Sequence, residues 1–274
     1  MCTTPKESKG ELVAIKVFDC WTKPERHQAF LEEIAFLQAC PFHPAILRVF
    51  DKGSYKGYST NNQNAPFVVM EYLPQTLRGA MREGRLSLVT KVSYAIQLLS
   101  ALVFLDSRNP KAVHRDIKPE NILIKGGACV LGNFGLLKRI SDLGARDLND
   151  MESLKASLGH GMPARYRTPD LVDYLNGGPM PTPKSDVFQL GLVLTELFTG
   201  RNPHKAYSDI RNPVELEPLR QIPGSHGGSV EALLRRMLEM DISKRDDAGK
   251  IIDGWEGVFR DVVDSAMALE GRAF

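Results

Sequence analysis

Val113-His114-Arg115-Asp116-Ile117-Lys118-Pro119-Glu120-Asn121-Ile122-Leu123 is the stretch that decides how this chain is read. It contains His-Arg-Asp-x-Lys-x-x-Asn, five residue types in fixed order. Pro119 removes a backbone donor and disfavours a helical conformation at Lys118, so the stretch reads as a loop. A carboxylate, an ammonium and a carboxamide are therefore presented between an apolar-periodic segment and a short apolar strand. Polar groups concentrated on a loop between rigid flanks mark a candidate site. A solvated charged turn is the bland alternative; the ordered motifs on both sides argue against it.

Moving outward, Leu12 to Phe18 is a β-type apolar run with Lys16 inside it. Thr22 and Glu25 have capping-box spacing and should open a helix. Phe30, Ile34 and Leu37 form the apolar stripe of that helix, with Glu33 on the edge of the stripe and Glu32 pointing away. Ala65 to Leu73 reads as a strand running into an exit segment. Apolar residues at 88, 92, 96, 99 and 102/103 predict a long amphipathic helix from Leu88 to Leu105. Ala128 to Leu131 reads as a short strand ending at Gly132-Asn133-Phe134-Gly135. Thr182-Pro183-Lys184-Ser185-Asp186 has good helix-start chemistry, and the run to Phe198 is apolar almost all round, which predicts a buried helix stopped by Gly200 and Pro203. Ser229 to Met240 should be amphipathic helix, and the tail to Phe274 should be helical and close the fold.

Composition sets broader limits. A chain of 274 residues fits one two-lobed unit or two domains. Hydrophobic content of 43% and charge of 25% are ordinary for a globular protein. A net charge of +2 gives no argument for nucleic acid or an anionic membrane as partner. Cys2, Cys20, Cys40 and Cys129 are widely spaced, which reads as reduced core thiols in an intracellular protein. The polar segment from Met1 to Glu11 has no apolar signal core, and no uninterrupted apolar run of membrane-spanning length is present, so no transmembrane helix is expected.

The loop resembles the catalytic loop of the eukaryotic-type protein kinases, in the Lys-containing form usual for serine/threonine kinases. Val13-Ala14-Ile15-Lys16 resembles that family's third strand, and Asp186-Val187 with Leu190-Gly191 resembles its central buried helix. The resemblance runs from about Gly10 to the end. It implies an α+β, two-lobe protein-kinase fold over residues 1–274, with a partial β-rich small lobe and hinge over 1–73 and a mainly helical large lobe over 74–274. It further implies that Asp116 orients a substrate hydroxyl and accepts its proton, and that Lys118 neutralises charge on the phosphoryl group in transfer. Lys16, paired with Glu33, would place the α- and β-phosphates of ATP. Met70 would be the gatekeeper beside the adenine. The main-chain groups of Glu71 and Leu73 would hold that base, with Ala14 and Leu123 as its apolar walls. Asn121 and Asn133 take the positions of the ligands to Mg²⁺, or Mn²⁺. Asp186 would accept hydrogen bonds from the catalytic-loop backbone, and Asp170 would pair with Arg245. The implied partners are ATP and a protein substrate or regulatory protein, in the cytoplasm.

The chain departs from the family pattern in three places. Asn133 stands where the family has the aspartate of Asp-Phe-Gly, so both protein ligands to the metal are neutral, and weak metal binding with reduced turnover is expected. No Gly-x-Gly-x-x-Gly occurs among the 15 residues before Lys16, so the small-lobe sheet should lack its first strand and part of its second, leaving an apolar edge exposed. The segment Leu136 to Thr168 ends without the usual threonine, whose position is taken by Pro163 or Met162 depending on the direction of counting. Arg115 could pair with phosphoserine at 153 or 157, Ser141 being a further hydroxyl in the same segment. Two readings stay open: a serine/threonine protein kinase impaired at its metal site, and a pseudokinase acting as a binding or regulatory scaffold. A small-molecule phosphotransferase on a related fold is disfavoured by the Asp186 helix and the Pro169-Asp170 ending.

Overall fold

The computed structural model describes residues 12–18, 24–56, 64–140, 164–204 and 210–270. Strand β1 (Val13–Val17) carries Lys16, as its β-branched composition favours. It pairs antiparallel with β3 (Asn64–Glu71), with Lys16 opposite Val68, and β3 pairs on its other side with β2 (Val49–Lys56). Among the described residues β1 is thus the edge of a three-stranded sheet, and Leu12, Ile15 and Val17 are exposed there. Helix α1 (Pro24–Ala39) lays Phe30 and Ile34 against Val68 of that sheet. The described helix begins at Pro24, with Glu25 inside it; Thr22, the expected cap, lies outside the described residues. Strand β3 ends at Glu71 and the chain runs on through Leu73, as the reading of a strand followed by an exit segment expects; β2 was not anticipated, since its Asp51, Lys52 and Gly53 break the apolar alternation.

The chain then turns helical. After β4 (Gln75–Thr76), helix α2 (Leu77–Glu83) is capped by the Thr76 hydroxyl on the Gly79 amide and closed by Gly84 at φ 68°. Helix α3 (Leu88–Asp106) follows the predicted apolar spacing, with Val92, Leu98, Leu99 and Leu105 buried. By length and composition α3 is apolar enough to cross a membrane, a test that a buried core helix of a globular protein also passes. The expectation above counted uninterrupted apolar runs, whereas Ser and Thr residues leave the mean hydropathy of α3 high. Its side chains belong to the main core with Phe188, Leu192, Leu234, Ile251 and Trp255 from later helices. Strand β5 (Lys111–Val113) leads into the 114–121 loop, which closes with a short 3₁₀ turn at Pro119–Asn121. A hairpin of β6 (Ile122–Lys125) and β7 (Ala128–Leu131) follows, and β8 (Lys138–Ile140) pairs with β5.

Two backbone hydrogen bonds fasten the sheet region to this hairpin. The Leu131 amide donates to the Ala45 carbonyl at 2.8 Å, and the Leu47 amide donates to the Leu131 carbonyl at 2.9 Å.

Helix α4 (Pro169–Leu175) is capped by Thr168 through the Leu171 amide. Helix α5 (Pro183–Thr199) is buried along nearly its whole length, as its sequence predicts. Its N-cap Thr182 has extended backbone but makes no side-chain cap bond; Ser185 instead donates its hydroxyl to Asp170. Helix α6 (His226–Met237) starts and ends three residues before the expected bounds of Ser229 and Met240. Gly227 reads as a loop residue in the sequence, yet a Cβ there would stand 2.6 Å from the Leu219 carbonyl oxygen, so close packing requires glycine inside this helix. Helix α7 (Ala248–Glu270) covers α3 and buries Ile251, Trp255 and Val258. Cys129, a free thiol, is buried and Cys40 is half-buried; Cys2 and Cys20 lie outside the described residues.

Helix α5 positions the 114–121 loop from below. Asp186, 2% exposed, accepts the His114 amide at 2.7 Å and the Arg115 amide at 2.9 Å. One helical turn on, Gln189 accepts the Ile117 amide at 3.0 Å and donates to the carbonyls of Arg115 (3.2 Å) and Tyr166 (3.0 Å). Arg115 has φ 66°, a strained value for a non-glycine residue, and these bonds on both its sides hold it there. Burial pushes the Asp186 carboxyl up to about 7, against the two amides that favour its charged form. His114 accepts the Asp116 amide on Nδ1 at 3.2 Å and has Nε2 3.1 Å from the Gly132 carbonyl, a pattern that fits the neutral ring with its proton on Nε2. Burial brings its pKa down to about 4.

Arg245, with its side chain fully buried, donates to Asp170 Oδ1 at 3.0 Å, to the Glu239 carbonyl at 2.7 Å and to the Lys184 carbonyl at 3.0 Å. It thereby joins α4, the start of α5 and the segment after α6. Arg245→Ala leaves the half-buried Asp170 beside Ser185 without its cation and removes these three bonds of a buried guanidinium, and should cost about 3–5 kcal/mol of unfolding free energy in urea titration; an unchanged midpoint would reject the pairing as structural. His114 supplies a pH dependence. Its folded pKa lies below its unfolded value, so its contribution is fully present above about 6.5 and is lost as pH falls toward about 4. Stability of the wild type relative to His114→Asn should therefore fall across that window, as read by urea unfolding at successive pH values.

Candidate functional site

The site is a row of side chains between the sheet and the helical region. On the sheet side, Lys16 Nζ stands 2.9 Å from Glu33 Oε2 and 3.1 Å from Oε1. Glu33 is buried, while Glu32 is exposed and bonded only to Gln28 on its own helix. Glu33 Oε1 also accepts the Phe134 amide at 3.0 Å, which ties α1 to the segment after β7. Phe134 is buried between Phe36 and His114, with ring centroids 6.1 Å and 4.7 Å away. So the Lys16–Glu33 pair, the Phe134 anchor and the 114–121 loop share one packed unit.

On the helical side, Lys118 Nζ lies 3.0 Å from Asp116 Oδ1. Asn121 Nδ2 donates to Asp116 Oδ2 at 2.7 Å and to the Asp116 carbonyl at 2.8 Å. Asp116 is buried, and burial raises its pKa while Lys118 and Asn121 pull it back. Asn133 connects the two sides. Its Nδ2 donates to Asn121 Oδ1 at 3.0 Å, and its Oδ1 is 3.5 Å from Lys16 Nζ. Asn133 has φ 60°, a left-handed conformation that asparagine tolerates better than most residues. The chain of contacts runs Lys16, Asn133, Asn121, Asp116, Lys118, without interruption.

The residues expected to wall a base lie at the margin of this row. Ala14 is directly opposite Met70 in the β1–β3 pairing, and Met70 is half-buried against the Phe30 cluster. Leu123 packs over Gly132, where an added Cβ would meet its Cδ1 at 3.3 Å. Glu71 Oε1 accepts the Arg48 amide at 2.9 Å and Oε2 accepts from Lys125 Nζ at 2.5 Å, so its side chain is used to hold the crossing strand while its backbone leads on toward Leu73.

The metal position can be tested by its donors. Asn121 and Asn133 offer amide oxygens only, and one of those oxygens already accepts from the other's NH₂. Among the described residues no group of three or more His, Cys, Asp or Glu is placed to hold a metal ion. Mg²⁺ prefers carboxylate and phosphate oxygens, so these residues do not fit a firmly held Mg²⁺.

The sequence did not single out Arg78, Glu120, Tyr166 and Glu196. Arg78 donates to Glu120 at 2.7 Å, to Glu196 at 2.6 Å and to the Tyr166 hydroxyl at 2.6 Å, and Tyr166 donates to Glu196. This joins α2, the loop, the 3₁₀ turn at Ala164–Tyr166 and α5. The only signal in the sequence was Glu196 interrupting an otherwise apolar helix. Arg115, considered above as a partner for phosphoserine, donates Nε to the Leu136 carbonyl at 2.6 Å; Ser141, Ser153, Ser157, Met162 and Pro163 lie outside the described residues.

Comparison with known proteins gives a consistent answer. The chain is 28% identical over 198 residues to mitogen-activated protein kinase 15 of Caenorhabditis elegans, covering 72% of this chain and 40% of that protein. It is 33% identical over 196 residues to the serine/threonine-protein kinase PknB of Mycolicibacterium smegmatis, covering 70% of this chain and 29% of that protein. It is 27% identical over 254 residues to the Wee1-like protein kinase of Arabidopsis thaliana, covering 90% of this chain and 45% of that protein. The chain thus spans less than half the length of these relatives. The model of the protein kinase domain family matches residues 2–254, and with the sheet-plus-helices fold above it shows that this chain belongs to the protein kinase domain family.

Proposed function

We propose that this chain binds ATP between its sheet and its helical region and transfers the terminal phosphoryl group to serine or threonine hydroxyls of a protein, slowly because of its metal position. The observation that carries the reading is the continuous row from Lys16 to Lys118, with Lys16–Glu33 and Asp116–Lys118 both in ion-pair contact. Lys16, oriented by Glu33, meets the α- and β-phosphates. Backbone groups of Glu71 and Leu73 take the adenine edge, between Ala14, Leu123 and Met70. Asp116 receives a hydrogen bond from the substrate hydroxyl, turns it toward the phosphorus and accepts its proton. Its raised pKa makes it a better base than an exposed carboxylate. Lys118, beside it, offsets charge on the phosphoryl oxygens as they pass. Such catalysis is positioning plus electrostatics, and needs no covalent intermediate on the protein. Partners of this kind, and the free thiol of Cys129, suit a cytoplasmic setting.

One observation favours the second reading, a kinase-shaped scaffold without turnover. The Asn133–Asn121 amide pair supplies no negative charge where the family uses a carboxylate. Labelled-ATP transfer decides between the two. With Mg²⁺ or Mn²⁺, Asp116→Ala should lower transfer by about 10²- to 10⁴-fold. Asn133→Asp restores a charged ligand and should raise transfer by about tenfold or more. Lys16→Ala should remove the thermal shift on adding ATP, since the phosphates lose their cation. No transfer from any version, with no thermal shift by ATP, would leave only the scaffold.

A further inference from the structure

A cavity of about 640 Å³ opens on the helical region, away from the Lys16–Lys118 row. It lies between α2, the start of α3, the end of α5 and the 217–221 segment. Its volume is in the range that takes a drug-sized molecule or a short stretch of peptide. Its floor is apolar, built from Met81, Leu86 and Phe198. Its rim is cationic, with Arg78, Arg82, Lys91 and Arg201 against only two carboxylates, Glu196 and Glu217.

Those carboxylates are already engaged. Glu196 is held by Arg78 at 2.6 Å, and Glu217 faces Arg201 at 3.7 Å in an exposed pair. Arg82 and Lys91 have no acidic partner among the described residues. Lys91 is half-buried on α3, with its ammonium 6.0 Å from the Phe198 ring centroid, and burial lowers its pKa. A desolvated ammonium with only a ring face for company is unfavourable, and a carboxylate brought beside it would remove the penalty. A small inorganic anion would satisfy the rim but leave the apolar floor wet. A basic segment would meet the uncompensated charges of Arg82 and Lys91.

We propose that this cavity is a docking site for an acidic linear peptide of a partner protein, which sets one aliphatic or aromatic side chain on the Met81–Leu86–Phe198 floor and carboxylates against Arg82 and Lys91. The proposal is independent of nucleotide binding and of turnover. Arg78 is shared between the cavity wall and Glu120 of the 114–121 loop, so the docked peptide abuts the same network that steadies that loop.

Fluorescence anisotropy tests it with a fluorescein-labelled peptide of Glu and Asp around a central Phe-Leu pair, and a counterpart with Lys in place of the acids. The acidic peptide should bind and the basic one should not, and binding should weaken as salt is raised. Arg82→Glu should weaken the acidic peptide by about tenfold or more, and Lys91→Gln should weaken it in the same direction. Arg82 is exposed, so its variant should keep the wild-type melting temperature. Equal binding of both peptides, no binding of the acidic one, or an affinity unmoved by Arg82→Glu and Lys91→Gln would each overturn the assignment.

Discussion

A single buried carboxylate governs the geometry of this molecule. Asp186 sits in the first turn of a helix with almost no solvent access, and its two oxygens are committed to two consecutive amides of the 114–121 loop. Consecutive amides can converge on one carboxylate only if the backbone between them turns sharply, and Arg115 at φ 66° provides that turn. The turn sends His114 down toward Phe134 and Gly132 and sends Asp116 up toward Asn121 and Lys118. The loop backbone is therefore placed by hydrogen bonds to two side chains of a rigid helix, and the functional side chains on it are then joined by contacts among themselves. The loop carries the chemistry and helix α5 carries the precision.

Much of this was legible in the sequence, for identifiable reasons. The loop is visible because Pro119 forbids the helical alternative, and α5 because a long apolar run must be buried. Glu33 is separable from Glu32 because a helix turns by a fixed angle per residue. Features resting on tertiary contact were not legible. Gly227 reads as a breaker until the Leu219 carbonyl is seen beside it. Strand β2 has no clean alternation, because Asp51 and Lys52 face solvent around a register shift at its start. The Arg78 network joins residues up to 118 positions apart, and nothing local marks its members. Arg245 could be paired with Asp170 only through the family resemblance, since no physical pattern links two residues 75 apart.

Asn133 gives the site a different electrostatic balance from that of the family pattern. With an aspartate there, the row would hold three carboxylates facing two lysines. With the amide, Lys16 and Lys118 are each matched by one carboxylate, Glu33 and Asp116. The row is neutral without any cation, and the amide's two ends serve as donor to Asn121 and acceptor toward Lys16. Neutrality helps the row hold together as a hydrogen-bonded unit, and the same neutrality removes the attraction that would recruit a divalent ion.

The two regions of the chain meet along a short backbone ladder, from Ala45 and Leu47 to Leu131. A ladder of this kind cannot slide by part of a residue; it is either in register or broken. Glu33, which holds both Lys16 and the Phe134 amide, is a second tie across the same seam, so the two regions are fixed to each other by backbone at one point and by a buried carboxylate at another.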